Sequence, residues 1–122
     1  MALPTIEEVK QAYKATMLRP INRTYFECES ERPIPTAACA LTATCLARGA
    51  SFAEMIDRFY ASQMNEYLAE QLGVGLGEVG EYIGGFDNPT SATWRWRSGT
   101  PSEAFRLGVE ANRAVMFFPT EE

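Results

Sequence analysis

The chain has 122 residues, 46% of them hydrophobic, which suits one domain with a real core and is too short for two, so residues 1–122 are read as a single helical domain. It carries a net charge of -5 and no histidine, which removes the usual partner of a cysteine or serine nucleophile and the common neutral-pH base. Three cysteines, Cys28, Cys39 and Cys45, lack CxxC spacing and read as reduced thiols, so no metal site, cofactor or catalytic residue is assigned.

The opening MALPTIEEVKQAY has no basic start followed by an apolar run, and no stretch reaches the length of a membrane span. A cytoplasmic location with no membrane partner is expected. The first helix is expected from Ile6 to Leu18, opened by a capping box of Thr5 with Glu8, burying Ile6, Val9, Tyr13 and Met17. Tyr25, Phe26 and Cys28 suggest a short strand. Its expected partner is the alternating Thr93–Arg97, with Trp94 and Trp96 on one face and Arg95 and Arg97 on the other; irregular loops are the alternative.

Thr36 is expected to cap a helix from Ala37 to Arg48, whose sequence AACALTATCLA is small and apolar nearly all round, as an enclosed central helix requires. Cys39 falls in its first turn, where the helix dipole favours a thiolate, although a small buried hydrophobe is the plainer reading. A second box, Ser51 with Glu54, opens a helix burying Phe52, Met55, Ile56, Phe59 and Tyr60. The last helix begins with Thr100 as cap, Pro101 in first position and Glu103 closing the box, and runs to about Phe117 over Phe105, Val109 and Val115 or Met116. The fold class is thus all-α, or α-rich with one two-stranded ribbon: a bundle of five to six helices around the small-residue helix.

Between these lies Met64 to Asn88. Ala69, Gly73 and Val79, with Leu68, Leu72, Val74 and Tyr82 around them, have the spacing of two helices joined by a tight turn. Over Met64–Gly84 the segment resembles the helix-turn-helix of phage-repressor-type DNA-binding proteins. That resemblance implies a second helix reading the major groove through Gly75, Leu76, Gly77, Gly80, Glu81 and Gly84. None of these is Arg, Lys, Gln or Asn, and no Lys or Arg occurs between Arg58 and Arg95, where Glu66, Glu70, Glu78, Glu81 and Asp87 fall. The counterion release that supplies most non-specific DNA affinity is therefore missing from the motif.

What remains is an apolar side of Leu76, Val79, Tyr82, Ile83 and Phe86, beside a smooth strip of Gly77, Gly80 and Gly84, with Glu78 and Glu81 directed away. Interior glycines cost about 0.8–1 kcal/mol each relative to alanine, so the strip calls for a backbone packed against it, from this chain or another. A protein-docking surface is expected, comprising Gly77, Glu78, Gly80, Glu81, Gly84 and the anchors Trp94 and Trp96, with a basic protein as the suited partner. Self-association is compatible with it. A divergent DNA-binding regulator is the second reading, and a core hairpin with a solvated acidic face is the plain one. The glutamates at helical spacing with Asp87 are too common an arrangement to carry an acid–base enzyme. Across most of the chain, Ala-Cys-Ala-Leu-Thr-Ala, Gly-Gly-Phe-Asp and Leu-Gly-Val-Glu-Ala-Asn-Arg-Ala-Val are similar to stretches of small bacterial or phage proteins with no assigned activity.

Overall fold

The Thr5 hydroxyl accepts the Glu8 N–H and the Glu8 carboxylate accepts the Thr5 N–H, so the first helix, α1 (Ile6–Thr16), starts where the capping box places it. This computed structural model describes residues 2–29, 34–89 and 102–116. Among them α1 is followed by β1 (Arg19–Pro20), β2 (Phe26–Cys28), β3 (Pro35–Ala38), α2 (Ala40–Ala47), α3 (Phe52–Tyr60), α4 (Met64–Leu72), α5 (Leu76–Asp87) and α6 (Glu103–Val115). The fold is α-rich with one small sheet.

Helix α1 ends earlier than the sequence suggests because Met17 adopts the left-handed conformation, φ 60°, and its N–H bonds to the Tyr13 carbonyl. Met17 is consequently 88% exposed and not part of the buried face, which is Val9, Ala12 and Tyr13. The sheet has order β1-β3-β2, with β1 parallel and β2 antiparallel to β3. Among the described residues β2 pairs with β3; its expected ribbon partner, Thr93–Arg97, lies outside the described residues. Glu27 on β2 meets Arg19 on β1 at 3.1 Å across the central strand.

Sheet pairing also corrects the start of α2. Residues Pro35–Ala38 are engaged as β3, and the adjoining Cys39 N–H bonds to the Tyr25 carbonyl, so Thr36 lies in a strand and Cys39 takes the N-cap position. From Ala40 to Cys45 every residue of α2 is buried, which small side chains make feasible on all sides. The Tyr13 hydroxyl donates to the Ala38 carbonyl at 2.7 Å and fixes α1 to the end of β3.

In α3 the Ser51 hydroxyl accepts the Glu54 N–H, but the reciprocal half of that box is not formed. Only Met55 is fully buried; Phe59 is 39% and Tyr60 81% exposed, because α3 ends beside the left-handed Ser62 instead of packing along its full length. Phe59 stacks against Phe26, Tyr25 and Tyr60 at the surface. Helix α6 begins after Ser102, whose hydroxyl accepts the Phe105 N–H; Thr100 and Pro101, the expected start, lie outside the described residues. Phe105, Val109 and Val115 are buried as expected.

The closest helix packing is α5 on α6, and glycines set it. A Cβ on Gly85 would fall on the Phe105 carbonyl oxygen, and one on Gly108 would fall on the Tyr82 carbonyl oxygen. Backbone therefore meets backbone at this seam. Asn112, buried in α6, donates from Nδ2 to the Phe86 carbonyl at 2.7 Å and so satisfies one of the free carbonyls at the end of α5.

Candidate functional site

The segment that the sequence analysis singles out, Met64 to Asn88, spans α4, a short turn and α5. Helix α4 stops at Gly73, which takes φ 70°, a left-handed conformation that glycine adopts without steric cost; its N–H bonds to the Ala69 carbonyl at 2.8 Å. After two intervening residues, Val74 and Gly75, α5 starts at Leu76. Leu68, Leu72 and Val79 are fully buried and Ala69 and Tyr82 nearly so, which places the apolar side chains of the frame in the core.

The opening turns of α5 face solvent. Leu76 is 51% exposed, and a Cβ on Gly77 or Gly80 would meet nothing within 4 Å among the described residues. Glu78 lies on the same exposed stretch, where its carboxylate accepts the Gly75 N–H at 2.9 Å and caps its own helix. A carboxylate here is also favoured by the helix dipole. Glu81, one turn on, is half-buried and turned toward α6, accepting a hydrogen bond from the Ser102 hydroxyl at 2.8 Å. Gly84 is half-buried. The expected site is thus divided: Gly77, Glu78 and Gly80 lie together with Leu76, whereas Glu81 ties two helices together. Trp94 and Trp96 lie outside the described residues.

The acidic window keeps its sign at the surface. Glu66 and Glu70 on α4 are exposed, and Arg58 at the window's edge pairs with Glu70 at 2.7 Å while lying 5.2 Å from the Tyr67 ring centroid. Among the described residues, backbone packs closely against Gly85 and Gly108.

Cys39 is buried, with its sulfur 3.3 Å from the Thr42 hydroxyl. Burial pushes its thiol above the ordinary range, only partly offset by hydrogen bonds from Thr42 and from the first-turn backbone. The dipole that favours a thiolate is outweighed by desolvation, so the small-hydrophobe reading holds. Asp87, at the end of α5, accepts the Arg23 backbone N–H on Oδ1 at 2.8 Å; burial raises its pKa and the Arg23 interactions lower it again in part. It stands apart from Glu78 and Glu81, and no cluster of three or more His, Cys, Asp or Glu suited to a metal occurs among the described residues. No described helix is long and apolar enough to cross a membrane.

Compared with protein-family models, with curated proteins and with solved structures, the chain matches none.

Proposed function

We propose that the chain is a small intracellular interaction module whose helices pack around α2 and whose α5 docks a protein partner through Leu76, Gly77, Glu78 and Gly80. The observation that carries this reading is the pair of open glycines. Gly85 and Gly108 have an internal reason to be glycine; Gly77 and Gly80 have none among the described residues, where a side chain at either would meet open space. Gly80, the more interior, costs α5 about 0.8–1 kcal/mol relative to alanine, and Gly77, in the first turn, costs less. A partner backbone or flat surface pressed against this strip would account for that cost, with Leu76 as an apolar anchor beside it. The carboxylates of Glu66 and Glu78 suit a basic partner.

The test compares the wild type, immobilised at low salt, with a Gly77→Leu/Gly80→Leu variant. A basic protein retained by the wild type, released as salt rises and lost from the variant, supports docking. Equal retention by both overturns it. The variant folds as well as the wild type on this reading, so circular dichroism and thermal unfolding serve as the control.

The left-handed turn at Gly73 between α4 and α5 is compatible with a second reading, a divergent helix-turn-helix DNA-binding regulator. Fluorescence anisotropy of labelled random duplex DNA separates the two. Binding with a steep negative salt slope supports the regulator and requires a phosphate footprint from arginines outside the motif; absence of binding at low salt rejects it.

A further inference from the structure

Away from the docking strip, a cavity of about 140 Å³ opens between the segment entering β2, the first turn of α2 and the last two turns of α5. Leu41, Ile83 and Phe86 give it apolar walls. Tyr82 also lines it, is 1% exposed, and carries a buried hydroxyl with no hydrogen-bond partner among the described residues. Buried hydroxyls are nearly always satisfied, so this one is an unfilled requirement next to an unfilled space.

Two opposite charges complete the lining. Asp87 is half-buried and Arg23 exposed, and neither belongs to an ion pair among the described residues. The two residues are joined through backbone: Asp87 Oδ1 takes the Arg23 N–H, which fixes the carboxylate, and the Asn22 amide donates to the Asp87 carbonyl at 3.4 Å. Arg23 sits at φ 69°, a conformation uncommon for a residue other than glycine, and such strain collects at ligand clamps. An apolar cavity of about 150 Å³ accommodates a benzene-sized molecule, which sets the scale of the ligand's hydrocarbon part.

We propose that this cavity binds a small zwitterion of the amino-acid type, with its ammonium on Asp87, its carboxylate on Arg23 and a short apolar side chain against Leu41, Ile83 and Phe86. Ligand pockets combine largely apolar walls with a few polar groups that fix orientation, and this lining has that composition. A free amine or a free carboxylic acid would leave one of the two rim charges unused.

The test titrates the full chain with L-valine, L-leucine and L-phenylalanine, with isobutylamine and isobutyrate as single-charge controls. Thermal unfolding and the amide resonances of Tyr82 and Ile83 provide the readouts. At least one of the amino acids is expected to raise the unfolding temperature and shift those resonances, as selective binding to the folded state requires. Asp87→Asn and Arg23→Gln are each expected to weaken binding about tenfold or more, the scale of a lost charged hydrogen bond. Ile83→Trp, which fills the cavity, abolishes it. The proposal is overturned if no amino acid shifts the resonances up to about 10 mM, a range that covers weak binding of so small a ligand. It is equally overturned if isobutylamine or isobutyrate binds as tightly as valine, or if Ile83→Trp binds unchanged. Should Asp87→Asn fail to fold, Arg23→Gln, at an exposed side chain, decides the charge assignment alone.

Discussion

At the scale of single residues the glycines of α5 and α6 divide into two kinds that respond oppositely to one methyl group. Alanine at Gly80 has room and improves helix propensity, so Gly80→Ala is expected to stabilise the chain by about 0.8–1 kcal/mol. Alanine at Gly85 or Gly108 would collide with the backbone of the neighbouring helix, a collision no rotamer change relieves. Either substitution should destabilise by several kcal/mol or prevent folding, and denaturant unfolding of the three variants side by side checks the contrast. The cysteines divide similarly. Cys28 is exposed, whereas Cys39 and Cys45 are buried, with burial pushing the Cys45 thiol up to about 12. A thiol reagent at mildly alkaline pH should label Cys28 rapidly, and the other two only as the chain unfolds.

Asp87 provides a pH signature at the same scale. Burial raises its carboxyl above the ordinary 3.8, so the folded state favours the protonated form. The stabilising contribution of protonation is complete below the unfolded value and lost as pH rises through the raised folded value. Asn at this position is permanently neutral and can still accept the Arg23 N–H. Asp87→Asn should therefore be at least as stable as the wild type near neutral pH, with the difference narrowing as pH falls toward about 4; thermal melts across that range give the comparison.

At the scale of elements, hydrogen bonds at the ends tie the α5–α6 pair together. Ser102 caps α6 through the Phe105 N–H and donates to Glu81 on α5, while Asn112 bonds the Phe86 carbonyl. Ser102→Ala loses a helix cap and leaves the half-buried Glu81 without this donor, so a cost of about 1–2 kcal/mol is expected in chemical denaturation. Much of this level was legible in the sequence where the signals are local. Thr5 with Glu8, Gly73 ending α4, and the all-round small surface of α2 are properties of a few adjacent residues, and each has its counterpart in the fold. Misreadings arose where a distant segment decides. Ala37 is a sound helix former, yet β1 and β2 capture it into a strand; Met17 fits the periodicity of α1, but the chain turns before it can be buried. The parallel pairing of β1 with β3 leaves no trace in a two-residue strand.

At the scale of the whole molecule, acidic residues without basic neighbours are concentrated on α4 and α5, and arginines lie on the elements around them. The acidic window was readable from composition by position. Which of its carboxylates remain available was not, because Glu81 turns to Ser102 and Glu70 to Arg58 only once α3, α4, α5 and α6 are assembled. The cavity between the β2 entry, α2 and α5 was equally hidden: Arg23, Cys39 and Asp87 are far apart in the chain, and only Asp87 and Cys39 draw attention by residue type.

The seam at Gly85 and Gly108 also bears on kinship. Core positions elsewhere can trade volume among themselves in a diverging lineage, but this contact admits no trade because backbone atoms occupy the space a side chain would need. A descendant that keeps this packing must keep both glycines together, whatever else it replaces. Their fixed separation along the chain is therefore a better mark of common ancestry than the pair of helices joined by a tight turn, an arrangement that unrelated folds reach repeatedly.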